Sequence, residues 1–207
     1  MITVVDYKAG NLTSVRLAFE HLGSEVAITD RPEPIRAAER VVFPGVGAAQ
    51  ASMDTLRRLG LLEPLREVVR RGTPFLGICI GMQLLFERSE EDGGTETIGV
   101  LPGEVRRFRP SDPMCKIPQM GWNRVRLRRA HPLLAGIEDE TEFYFVHSYY
   151  PAPSDDRVVV GETDYADVVF ASIAARANVF ATQFHPERSG RIGLRMLDSF
   201  TRWDGEA

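Results

Sequence analysis

The run Thr73-Pro74-Phe75-Leu76-Gly77-Ile78-Cys79-Ile80-Gly81-Met82-Gln83-Leu84-Leu85-Phe86 decides the fold. Pro74 to Ile78 reads as a short buried strand, and Ile80 to Phe86 turns straight into helix. Upstream, the same alternation repeats. Ile2 to Val5, Val26 to Thr29 and Val41 to Phe43 are apolar runs of strand length. Between the first two, Leu12, Val15, Ala18, Phe19 and Leu22 recur at helical spacing, with Asn11 placed to cap the helix and Gly23 to stop it. A further helix around Leu61, Leu65, Val68 and Val69 ends at Gly72. Strands separated by helices imply right-handed crossovers and a mostly parallel sheet.

Downstream the pattern changes. Residues 105–108, 123–127, 142–146, 158–162, 168–173 and 179–183 read as strands joined by short Gly, Pro and Asp turns. They predict an antiparallel extension on the same core. Ile192, Met196, Phe200 and Trp203 mark a last helix, and the acidic stretch Ser89 to Gly94 reads as a solvated loop. The expectation is one α/β domain over residues 1–207: a flavodoxin-like open sheet with a parallel core, an antiparallel extension and helices on both faces.

The 207 residues are 43% hydrophobic and 26% charged, with a net charge of −4. That composition is globular and does not favour general nucleic-acid binding. Two cysteines are too few for a disulfide framework. Neither a secretory leader nor an apolar run of membrane-spanning length is read, so the expected location is cytoplasmic, with no membrane or nucleic-acid partner.

Gly77-Ile78-Cys79-Ile80-Gly81 has the layout of a nucleophile elbow with Cys in place of Ser. Such a turn projects the side chain from the sheet, and crowding by neighbouring backbone requires small residues two positions to either side. The helix that follows aims N–H groups at the site, where they can bind an oxyanion. The plain alternative is a buried Cys acting as a small hydrophobe, which is also the reading for Cys115.

A thiol nucleophile needs a base. His185 lies in Thr182-Gln183-Phe184-His185-Pro186-Glu187. Pro186 biases it toward an extended conformation, in which Glu187, two residues on, projects to the same side. The carboxylate can then accept from one ring nitrogen while the other faces the thiol. His147 is the rival base. His21 reads as a helix-end residue and His131-Pro132 as a turn. No metal-ligand spacing and no phosphate-binding glycine loop is present, so no metal and no cofactor is expected.

Together these residues resemble the class I glutamine amidotransferases, and within them the glutaminase subunits of imidazole glycerol phosphate synthase, the HisH type. The resemblance spans Asp6 to Leu12, Phe43 to Gly47, Gly77 to Phe86, Pro118 to Asn123, Phe145 to Tyr149 and Gln183 to Glu187. It implies a Cys79–His185–Glu187 triad that hydrolyses L-glutamine through a thioester. It also implies oxyanion donors at the backbone of Val46 and Ile80, with glutamine held by Gly45, Gly47, Gln83, Ser148 and Tyr149. The implied partner is a (β/α)8-barrel cyclase subunit, a consumer of ammonia in histidine biosynthesis, with Pro118 to Asn123 at the interface. One departure is Lys8, where the family commonly has Gly. That lysine is expected to point away from close contacts as an exposed loop residue, the alternative being that it faces the partner subunit. The plain alternative for Pro118 to Asn123 is a tight turn with Trp122 packed inward, and the two readings can both hold.

The glycines around Val46 widen the backbone angles open to that peptide, so partner binding can switch its N–H toward the site. Residues 104–129 carry eight basic side chains (Arg106, Arg107, Arg109, Lys116, Arg124, Arg126, Arg128, Arg129) against Glu104 and Asp112. They read as a solvated face or a docking surface. Two other functions stay open: a Cys hydrolase of the α/β-hydrolase type, in which the acid would precede the His, and a scaffold that has lost its chemistry.

Overall fold

The computed structural model describes residues 1–10 and 12–206. The capping expectation for Asn11 lies outside them. The first half runs β1 (Ile2–Val5), α1 (Leu12–His21), β2 (Val26–Thr29), α2 (Pro32–Arg36), β3 (Val41–Phe43), α3 (Ala49–Arg58), α4 (Leu62–Arg70), β4 (Phe75–Ile78) and the single turn α5 (Ile80–Gln83). Strands then follow: β5 (Arg88–Ser89), β6 (Thr95–Glu96), β7 (Gly103–Arg107), β8 (Gln119–Leu127), β9 (Thr141–His147) and β10 (Tyr149–Pro153). The chain closes with β11 (Val159–Tyr165), β12 (Val168–Arg176), β13 (Val179–Thr182) and α6 (Gly190–Arg202).

The main sheet has the order β2-β1-β3-β4-β13-β12-β11-β8-β9. The strands from β2 to β13 pair in parallel and those from β13 to β9 antiparallel. This is the expected parallel core with its antiparallel extension. Strand side chains alternate between two apolar layers. Val4, Val42, Leu76 and Ile78 pack with Val15 and Phe19 of α1 and with Met196 and Phe200 of α6. Val5, Val41, Phe43 and Phe75 pack with Met53 and Leu56 of α3 and with Leu65 and Val68 of α4. Burying each such side chain contributes about 1.5–3 kcal/mol, so both faces hold the helices against the sheet.

Several expectations are corrected. Residues 89–94 are only in part a solvated loop: Ser89 is buried in β5 and Glu90 and Glu91 are half-buried, while residues 92–94 are exposed. The stretch connects β5 to β6 in a second, four-stranded sheet of order β10-β7-β5-β6, which the sequence reading folds into the first. The helix after Cys79 stops at Gln83 instead of continuing to Phe86. Its would-be continuation gives its carbonyls away: Leu84 to Ile98, Leu85 to Val100 and Leu101, and Phe86 to Gly99. The helices α2 and α3 lie where no helix is read. Pro118 to Asn123 is not a tight turn, because β8 starts at Gln119 and pairs with β9 from Gln119↔His147 to Val125↔Thr141. That pairing turns Met120 and Trp122 outward, 66% and 56% exposed, so Trp122 does not pack inward.

Candidate active site

Three loops meet at the carboxyl edge of the parallel strands, after β3, β4 and β13, where open α/β sheets bind ligands. Ile78 and Thr182 are register partners on β4 and β13. The next residue, Cys79, donates its N–H to the Thr182 carbonyl at 2.7 Å. Cys79 takes φ 55° and ψ −112°, left-handed backbone that a residue with a Cβ adopts only when its surroundings force it. The flanking glycines are that surrounding. A Cβ on Gly81 would lie 1.7 Å from the Phe43 carbonyl oxygen, and one on Gly77 2.9 Å from Leu85.

His185 follows β13 and is tied to β9. Its N–H donates to the Tyr144 carbonyl (2.9 Å), and Ser189 Oγ donates to the His185 carbonyl (2.7 Å) while accepting from Tyr144 N–H (3.0 Å). Nδ1 of His185 lies 2.8 Å from Glu187 Oε1, with both side chains buried. His185 itself is extended, as expected (φ −99°, ψ 95°), but the residues after it are not. Pro186 to Arg188 form a 3₁₀ turn, and the turn folds the carboxylate back onto the ring. Burial disfavours the imidazolium, but the Cys79 sulfur and the Glu187 carboxylate outweigh it and raise His185 to about 10. His147 goes the other way. Burial, opposed by its Nδ1 bond to the Tyr149 carbonyl (2.7 Å) and reinforced by His185, lowers it to about 4. Of the two histidines, His185 is the one with a carboxylate partner and the one that feels the Cys79 sulfur.

Cys79 opens on a cleft of about 300 Å³ that is also bordered by Val46, Gly47, Ile80, Gln83, Ser148 and Tyr149. Gly45, His185 and Glu187 border a smaller cleft on the other side of Val46. Gly45 is thus the one predicted substrate contact set apart from the main cleft. The Val46 N–H donates to the Ala9 carbonyl at 3.4 Å, so in this conformation it is occupied. Gln83 uses its amide nitrogen twice, on the Tyr149 carbonyl and on Gln183 Oε1, both at 2.9 Å. Only its oxygen is left for a ligand.

The sequence reading missed three residues here. Gln183 Nε2 lies 3.7 Å from Cys79 Sγ; its signal was its place two residues before His185 on an extended segment. Glu91 borders the cleft and accepts from Ala49 N–H at 2.6 Å. Burial raises its carboxyl above the usual range, and nothing in an acidic stretch marks it out. Tyr7 buries a hydroxyl with no hydrogen-bond partner; burial first and the Cys79 charge second push its phenol up. Lys8 is exposed, as expected of a loop lysine, and pairs at the surface with Asp6 (2.8 Å) and Asp30 (3.0 Å). Its φ of 64° is the backbone that a glycine would take without strain. Among the described residues, no group of three or more His, Cys, Asp or Glu is arranged to hold a metal ion.

Residues 3–202 match the family described as glutamine amidotransferase class-I. The imidazole glycerol phosphate synthase subunit HisH of Dehalococcoides mccartyi is 48% identical over 97% of this chain and 96% of its own length. That of Chloroflexus aurantiacus is 47% identical over 98% and 96%. PurLQS from Thermotoga maritima superimposes with a TM-score of 0.73 at 20% identity, covering 97% of both chains. A crystal structure of a glutamine amidotransferase gives 0.72 at 19%, covering 99% of this chain and all of the other.

Proposed function

The chain belongs to the class-I glutamine amidotransferases, and we propose that it is the glutaminase subunit of an imidazole glycerol phosphate synthase, hydrolysing L-glutamine and delivering ammonia to a cyclase in histidine biosynthesis. The observation that carries the site assignment is the elbow cysteine on a cleft of about 300 Å³, close enough to His185 for its sulfur to act on that ring, with His185 paired to the buried Glu187. Residues 1–207 act as one glutaminase unit. A cytoplasmic location suits this work, and no helix among the described residues is long and apolar enough to cross a membrane.

In this reading Cys79 Sγ attacks the side-chain amide carbon of glutamine. His185 takes the thiol proton and passes it to the departing nitrogen, so ammonia leaves and a glutamyl thioester remains. His185 then activates water, glutamate departs and the thiol is restored. Glu187 accepts from Nδ1–H, which keeps Nε2 toward the sulfur and stabilises the imidazolium. The N–H of Ile80, first in α5, is one oxyanion donor. Val46 is the second once its N–H leaves the Ala9 carbonyl, a bond long enough at 3.4 Å to break at small cost. The backbone of Gly47, Ser148 and Tyr149 and the Gln83 oxygen hold the substrate, with Gly45 setting the loop behind Val46. The Glu91 carboxylate suits the substrate's α-ammonium group.

Ammonia released into water is largely protonated and lost, so producer and consumer should dock. Exposed Met120 and Trp122, with Tyr144 edge-on to Trp122 (6.1 Å) and Arg188 over the Tyr144 ring (4.5 Å), form the face offered to a (β/α)8-barrel cyclase. Such large apolar and arginine side chains are typical interface anchors. The test is glutamate release from L-glutamine by the chain with its cyclase and the cyclase's nucleotide substrate. Release that needs the partner and vanishes in Cys79→Ala is expected. No release from a verified complex would overturn the glutaminase reading, and equal rates for free and complexed chain would overturn the role given to Val46.

A further inference from the structure

The buried amides behind the nucleophile form a chain whose polarity is fixed at one end. The Tyr149 carbonyl oxygen can only accept, and it takes hydrogen bonds from His147 Nδ1 (2.7 Å) and Gln83 Nε2 (2.9 Å). That settles which end of the Gln83 amide is nitrogen. The same nitrogen lies 2.9 Å from the Gln183 amide, which must therefore present its oxygen there. Gln183 is then left with its NH2 toward Cys79, 3.7 Å from Sγ. Gln83 and Gln183 are both buried, Gln183 completely, so neither amide can turn to water without losing a bond that nothing replaces.

We propose that Gln183 is a positioning residue for the nucleophile: its amide N–H holds the Cys79 sulfur as a hydrogen-bond acceptor, in an orientation imposed from the Tyr149 carbonyl through Gln83. The sulfur's proton is thereby directed away from Gln183, and a developing thiolate meets a donor already in place. Charge-assisted bonds of this kind are stronger than neutral ones. The chain also links the backbone that borders the cleft to the reacting atom, so a shift of Tyr149 is felt at Sγ. This inference rests on Cys79 being the nucleophile.

The test is the pH dependence of Cys79 alkylation by iodoacetamide in the full chain, comparing the parent with Gln183→Met and Gln183→Glu and using Cys79→Ala as the blank. Met fills the space and donates nothing. Glu can accept from Gln83 but offers the sulfur a carboxylate. The alkylation profile is expected to move to higher pH by about one unit in Gln183→Met, a tenfold loss of rate at fixed low pH, and further in Gln183→Glu. Loss of packing alone would lower the melting temperature and leave the profile in place, and that result overturns the proposal. Should both variants fail to fold, the parent chain labelled with 15N in its glutamine side chains gives the second reading. The Gln183 amide resonance is expected to shift as Cys79 is alkylated, and an unmoved resonance overturns the proposal. Glutamate release stands apart: its absence from the parent complex sinks the glutaminase reading whichever way Gln183 behaves.

Discussion

A methyl group on residue 45 would stand 1.9 Å from the Tyr7 hydroxyl oxygen and 2.5 Å from Ile80 Cγ2. Both contacts are impossible, so Gly45→Ala must displace the loop, the tyrosine or the residue after Cys79. A stability loss of about 1–3 kcal/mol is expected, the usual range for overpacking. Tyr7→Phe alone should be neutral or mildly stabilising, because the hydroxyl it removes is buried without a partner. Combining the two should recover only part of the loss, since the Ile80 contact remains. Urea denaturation of the three variants measures this, and strictly additive effects would show that the 45–7 contact is not the one that matters.

Elements show where sequence reading works and where it fails. The strands β1 to β4 and the helices α1, α4 and α6 were legible because each carries its own apolar pattern, and α1 and α4 their own stops at Gly23 and Gly72. The helix α3 was not. Its N-cap residue is Ala48, which caps nothing, and the first N–H is instead satisfied by Glu91, forty-two positions on. A cap supplied from a distant segment leaves no local trace. The basic stretch carries exposed arginines, as its solvated-face reading has it, but the charges that balance it leave no local trace either. Arg126 and Arg128 share Glu162 (3.0 and 2.7 Å), and Arg109 meets Glu90 at 3.0 Å, so carboxylates from outside the stretch balance it. In the candidate site, the closeness of Cys79, His185 and Glu187 was legible because the elbow and the His-Pro-Glu run are local motifs, whereas Glu91 reaches the cleft only through the β5–β6 connection. Glu91→Gln keeps an acceptor for Ala49 N–H but removes the charge. The KM for glutamine should rise about tenfold with kcat less affected, as loss of a charge-assisted bond requires. Glu91→Ala should in addition speed amide exchange at the start of α3. Unchanged KM in both would separate Glu91 from substrate binding.

Across the whole molecule, acid should act through histidines held neutral. His131 joins three parts of the chain: its ring lies 4.5 Å from Phe180 on β13 and 5.2 Å from Trp203 after α6, and its Nδ1 accepts from Leu133 N–H at 3.2 Å. Burial first and Arg129 second lower it to about 4. A folded pKa below the unfolded value of about 6.5 means that the unfolded chain takes up the proton first. The associated stability is fully present above pH 6.5, drains away as pH falls toward 4, and is gone below it. At about 1.4 kcal/mol per unit, His131 alone costs about 2 kcal/mol at pH 5. His147, also near 4, titrates in the same window and doubles the slope. His185 has the opposite sign: raised to about 10, it contributes stability below pH 6.5 that is lost as pH rises through 10, so it adds nothing to acid lability. His131→Phe keeps a ring between Phe180 and Trp203, loses only a weak cap, and cannot take a proton. Urea denaturation at pH 7.5, 6 and 5 should therefore give a variant near the parent at pH 7.5 whose stability falls about half as steeply toward pH 5. A variant with the parent's acid slope would mean that the proton enters elsewhere and that His131 packs the chain end without sensing pH.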